Sequence, residues 1–139
     1  MPDASSTCEV IYGFLEKDKI STAAAACIYT GIIHDTNVFK NSNTTAKTME
    51  AAGDMMSRGI PFSRIIDDSF YRKTYVQNQI LGRALLESVT FLHGKCIFSV
   101  VRRKDMIFYG VESSDLDGIV DQMRVTEGVE VAIFLHETE

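Results

Sequence analysis

An α/β architecture is predicted for this chain, helical through about residue 87 and then ordered strand, strand, helix, strand. Apolar residues recur at helical spacing up to Leu85. Beyond that point, short β-branched and aromatic runs are bounded by turn residues. A glycine-closed hairpin signal at His93-Gly94-Lys95 marks the change of regime. The length of 139 residues leaves room for one domain or parts of two.

The elements follow in order. Ser6-Thr7-Cys8-Glu9 has capping-box spacing and opens a helix with Val10, Ile11, Phe14 and Leu15 as its apolar stripe. Lys17-Asp18-Lys19 closes it. Ser21 precedes an alanine-rich helix running to Ile33, apolar nearly all round and so expected to be buried on most sides. Asn41-Ser42-Asn43-Thr44-Thr45 is a loop rich in N-cap residues, and the next helix carries Met49, Ala52 and Met56 before Gly59 stops it. Ile60-Pro61-Phe62-Ser63 turns into a short helix with Ile65, Ile66 and Phe70. A longer helix is predicted from about Tyr71 to Glu87, with Val76, Ile80, Leu81, Ala84 and Leu85 on one side. Val89–Leu92 and Cys96–Val101 form a hairpin. Met106–Gly110 fits either a short helix or a strand. Ser113-Ser114-Asp115 is placed as the cap of a helix through Ile119, Val120 and Met123, and Gly128–Leu135 is a strand.

Composition excludes some functions. The formal charge is −5, and there is no basic stripe of the kind a duplex DNA groove needs. No apolar run approaches membrane-spanning length, and no signal peptide is visible. Cys8, Cys27 and Cys96 are widely spaced in apolar runs. They are expected to be reduced, buried thiols, which points to the cytoplasm. Both ends look cut, because the chain starts at a helix cap and stops just after a strand.

The chemistry concentrates at Gly31-Ile32-Ile33-His34-Asp35-Thr36-Asn37-Val38-Phe39. An apolar helix ends here in a carboxylate and a polar turn. From the residues alone, Asp35 is either a turn or cap aspartate or a ligand for a hard cation. Taken alone, Lys40 is a solvated lysine. Thr36, Asn43 and Thr44 shape the loop by hydrogen bonding. His34 interacts with the helix end. Arg102-Arg103-Lys104 is by default a surface turn.

These residues resemble the DHH-family phosphoesterases, most of all the bacterial nano-RNase / phosphoadenosine-phosphate phosphatase branch. Tyr29–Lys40 is similar to the family's fourth motif, in which a Gly-Ile helix end leads into Asp-Thr-Gly, an aromatic and a basic residue. Ser42-Asn43-Thr44-Thr45 resembles the turn after it, and Asp115–Arg124 with Gly128–Ala132 resembles the start of the family's associated C-terminal domain. Asn37 stands where the family has glycine, and asparagine tolerates a left-handed backbone. The Asp-His-His signature, the His-x-x-Pro-Asp motif and the glycine-rich phosphate-holding motif are missing from the sequence.

The resemblance implies residues 1–70 as the C-terminal part of a DHH catalytic domain. Residues 71–87 become a linker helix, and 88–139 the first β-β-α-β part of the associated substrate-binding domain. It implies a two-metal Mn²⁺ site with Asp35 as one ligand, and His34, Thr36, Lys40, Asn43 and Thr44 around it or on substrate. It also implies hydrolysis of short oligonucleotides or nucleotide bisphosphates by the intact enzyme. One carboxylate cannot hold two cations, so the chain alone is expected to be inactive. Residues 1–40 would leave apolar helix surface uncovered, which predicts self-association or partial disorder and leaves a homodimer open. The competing reading is a non-catalytic module that binds a nucleotide or a partner.

Overall fold

A computed structural model describes residues 4–138. The chain divides into two compact units between Arg72 and Lys73. Among the described residues there are seven α-helices and one three-stranded sheet.

The first unit is helical. Helix α1 (Thr7–Phe14) starts where Ser6 accepts from the Glu9 amide, as the cap signal predicts. Helix α2 (Thr22–Asp35) is capped by Ser21, and α3 (Ala46–Ser57) by a reciprocal Thr45/Thr48 box. A short α4 (Phe62–Ile66) runs into a π-helical turn at Asp67–Tyr71. Ala25, Ile28, Tyr29, Ile32 and Ile33 of α2 meet Ala51, Ala52 and Met55 of α3 in a dry core. The alanines permit this close approach, and burial of each large side chain contributes about 1.5–3 kcal/mol. Tyr12 donates to Asp54 (2.9 Å), which Arg58 also grips, so α1 and α3 are fastened by a polar clamp as well.

Two expectations for this unit are corrected. The apolar stripe of α1 does not face inward: Ile11, Phe14 and Leu15 are exposed, and Cys8 and Tyr12 make the contact with the core. Periodicity reveals an apolar face but not what covers it. Helix α2 is likewise open on one side, where Ala23, Ala24, Cys27, His34 and Asp35 are exposed. Of the cysteines, only Cys96 is buried.

The second unit begins with helix α5 (Tyr75–Leu86), four residues later than the sequence reading placed it. Thr74 and Gln77 form a capping box there, a T-x-x-Q signal that competes with the apolar pattern and fixes the true start. Strand β1 (Val89–Phe91) pairs antiparallel with β2 (Cys96–Val101), and β3 (Val131–His136) pairs parallel with β2. The crossover contains α6 (Arg103–Tyr109), ended by Gly110 at φ 65°, and α7 (Ile119–Arg124). Met106–Gly110 is therefore helical, not a strand. Ser113-Ser114-Asp115 does not cap α7. It forms a separate 3₁₀ turn, and Gly118 precedes α7 instead. Ile80 and Ala84 of α5 pack with Ile97, Val101, Met106, Ile119 and Met123 in a second core.

Register places Val89, Phe98 and Ile133 in one row and Phe91, Cys96 and Val131 in the next, with Val100 and Leu135 beyond. That face is wholly apolar, and most of its outer residues are exposed. No helix of the described residues is long and apolar enough to cross a membrane.

Candidate functional site

Asp35 is the last residue of α2, and its side chain is exposed. Among the described residues its carboxylate has no hydrogen bond or ion pair, so it is not the cap that the residue-level alternative allowed. The cap position belongs to Thr36.

The backbone around it is built with care for direction. The Val38 amide donates to the Ile33 carbonyl (2.8 Å) and the Asn37 amide to the His34 carbonyl (3.3 Å). This is the Schellman pattern, with Asn37 at the left-handed position, φ 48°. Asparagine tolerates that region better than most residues, so the expected turn forms here. The left-handed path continues through Val38 (φ 55°) and Phe39 (φ 64°), which nothing in the sequence signals. Each such residue costs roughly 1–2 kcal/mol, and a β-branched valine is an unusual occupant. The surroundings hold the turn in place. Thr36, fully buried, donates its hydroxyl to the Ile32 carbonyl (2.7 Å) and accepts from the Phe39 amide (3.0 Å). The Lys40 and Asn41 amides both donate to the Thr36 carbonyl (2.9 Å each). Asn41 and Asn43 side chains donate to the Asp35 carbonyl (3.3 Å each), and Asn43 also to the Ser5 carbonyl (2.9 Å).

The other predicted site residues fall into place around this turn. His34 is exposed and lies against the Phe70 ring, 4.8 Å between centroids. Lys40 is exposed. Thr44 has its hydroxyl oxygen buried without a partner among the described residues. Thr36, Asn41 and Asn43 touch the turn directly, whereas Lys40 and Thr44 make no side-chain contact with Asp35 that the structure records.

Two features were not legible as site components. Cys8 packs against Gly31, where any Cβ would collide with its sulfur. Its thiol is pushed above the usual range by burial, and further by the negative charge of Asp35 and by Cys27. The spacing 27, 31, 35 on one helix face, with glycine in the middle, was the available signal. The second is Glu9, whose carboxylate reaches Ser5 and Thr48. Sequence spacing marked it only as part of a cap.

An exposed, unengaged carboxylate is a hard oxygen donor of the kind Mn²⁺ takes. Among the described residues, however, no group of three His, Cys, Asp or Glu side chains could hold a metal ion. Asp35 could offer a cation one ligand, and no set of described residues completes a site around it.

The resemblance to DHH-family phosphoesterases of the nano-RNase / phosphoadenosine-phosphate phosphatase branch, read from the sequence, is borne out by comparison. The chain is 26% identical to the bifunctional oligoribonuclease and PAP phosphatase NrnA of Bacillus subtilis (strain 168), over 98% of this chain and 44% of that protein. It is also 26% identical to the Thermus thermophilus protein of the same name, over 99% of this chain and 41% of that protein. Its fold matches the crystal structure of an exopolyphosphatase-related protein from Bacteroides fragilis with a TM-score of 0.90 at 20% identity, over 99% of this chain and 42% of that one. The chain spans less than half the length of each. No protein-family model matches it.

Proposed function

We propose that this chain supplies one metal ligand, Asp35, to a Mn²⁺-dependent phosphoesterase that hydrolyses short oligonucleotides or nucleotide bisphosphates. The observation that carries the reading is the free Asp35 carboxylate at the end of a helix packed on one side, on a left-handed turn clamped by Thr36, Asn41 and Asn43. A turn aspartate with no metal to meet has no need of so costly a backbone. The names of the two relatives, oligoribonuclease and PAP phosphatase, support the substrate class. Bound Mn²⁺ would supply Lewis acidity at the phosphoryl oxygens and a more acidic water.

What this chain's own residues do is narrower. Asp35 presents an exposed negative oxygen pair, and Asn41 and Asn43 hold the backbone carbonyl of the same residue. Lys40, five residues beyond, is free to neutralise a phosphate. With a single ligand, the isolated 139-residue chain is expected to show no Mn²⁺-dependent turnover. Ordinary enzyme rates from that chain, on a dinucleotide or on phosphoadenosine phosphate, would defeat the proposal. The non-catalytic alternative draws on Asn37 in place of glycine and on the missing signatures. Asn37 adopts the left-handed conformation, which weakens the first motive and leaves the second.

A further inference from the structure

Glu9 lies on α1, yet its carboxylate gathers the polar groups beneath the Asp35 turn. One oxygen, Oε2, accepts three hydrogen bonds: from the Ser5 amide (2.9 Å), the Ser5 hydroxyl (2.6 Å) and the Thr48 hydroxyl (2.9 Å). Ser5 and Thr48 are both buried. Burial pushes the Glu9 carboxyl up, but the Ser5 and Thr48 donors and the nearby Lys47 outweigh it, and the group stays below its ordinary range.

The two partners of Glu9 lead to the two ends of the turn. The Ser5 carbonyl accepts from the Asn43 amide, and that same nitrogen donates to the Asp35 carbonyl. Thr48 forms the reciprocal box with Thr45, which closes the loop that begins at Thr36. We infer that Glu9 is a positioning residue for Asp35, acting through Ser5 and Asn43 on one side and through Thr48 on the other. The inference rests on the Asp35 reading and deepens it. An ionised carboxylate suits the task because three donors converge on a single oxygen, and charge-assisted bonds are roughly twice as strong as neutral ones. A purely structural Glu9 would stabilise the first unit without affecting how Asp35 meets a cation.

The test uses the full-length protein with Mn²⁺ as probe, its binding read by electron paramagnetic resonance. Glu9→Gln, Asn43→Ala and Asp35→Ala are compared with the unsubstituted protein. Groups that hold a metal ligand in place typically alter affinity 10–100-fold, so Glu9→Gln and Asn43→Ala should each weaken Mn²⁺ binding by about 10-fold. Amide exchange at Val38, Lys40 and Asn41 should speed up in both, and KM at saturating Mn²⁺ should hold within about 2-fold. If Glu9→Gln does not fold, Asn43→Ala decides, because Asn43 is exposed and lies outside both cores. Unchanged Mn²⁺ affinity in Asn43→Ala, with affinity lost in Asp35→Ala, overturns the positioning role alone. Unchanged affinity in Asp35→Ala overturns the site beneath it.

Discussion

The two units solve the problem of an open surface in opposite ways. The first spends its polar groups on a short, strained turn: Thr36, Asn41 and Asn43 bond the end of α2, and Ser5, Glu9 and Thr48 form a network that reaches it through Asn43. The second has a well-filled core on one side of its sheet and a bare apolar face on the other, with Val89, Phe91, Val131, Ile133 and Leu135 exposed. Directional hydrogen bonds fix the backbone that carries one carboxylate. An apolar sheet face fixes no direction and simply lowers its free energy when covered. Chemistry is thus expected in the first unit, and docking in the second.

That contrast can be broken by substitution. The largest expected effect is Ile80→Ala, since Ile80 is fully buried between α5 and the sheet. A loss of about 2–5 kcal/mol should appear in denaturant melts. Exchange protection should fall across residues 73–139 and hold in the first unit, whose core is separate. An equal loss across both units would show that they are not independent.

Gly31→Ala comes next. Its new Cβ would collide with the Cys8 sulfur, so α1 must shift or Cys8 must leave its place. Overpacking of this kind costs about 1–3 kcal/mol, and Cys8→Ala in the same chain should restore most of it. No rescue would mean that the crowding lies elsewhere.

A smaller effect concerns acid. The Glu9 carboxyl is held below its ordinary range in the folded state, so its contribution is fully present above the unfolded-state value of about 4.3. It is lost as pH falls below that point and through the folded value. Glu9→Gln should therefore flatten the acid side of the first unit's stability profile. A profile identical to the unsubstituted chain would show that Glu9 is not the group responsible.

The smallest expected change in stability belongs to the bare face. Ile133→Thr should shift melting by no more than about 0.5 kcal/mol, yet reduce binding of a hydrophobic dye. A large destabilisation would mean that this face is packed rather than open.

The comparison also explains what was legible. Helix starts could be read at Ser6 and Ser21, because one residue type at one position satisfies the free amides, whereas Thr45 was one of several candidate caps in its loop. Thr74 was outcompeted by the apolar pattern upstream, and the start of α5 was placed too early. The outward stripe of α1 misled for a related reason, since periodicity is silent about what a face meets. At the end of α2, the left-handed turn at Asn37 was legible because asparagine tolerates that backbone. Val38 and Phe39 in left-handed backbone were not, since neither residue favours that conformation by itself. Glu9 was hidden because its partners lie far along the chain, at Thr48, and in the carbonyl of Ser5 that Asn43 reaches.

The most direct measurement is Mn²⁺ binding and phosphoester turnover by the full-length protein carrying Asp35→Ala, with melting recorded alongside. Because the carboxylate is exposed and supports no hydrogen bond among the described residues, melting should hold within about 0.5 kcal/mol while metal binding and turnover collapse. An Asp35→Ala protein that binds Mn²⁺ and hydrolyses a dinucleotide as well as the parent would contradict the account.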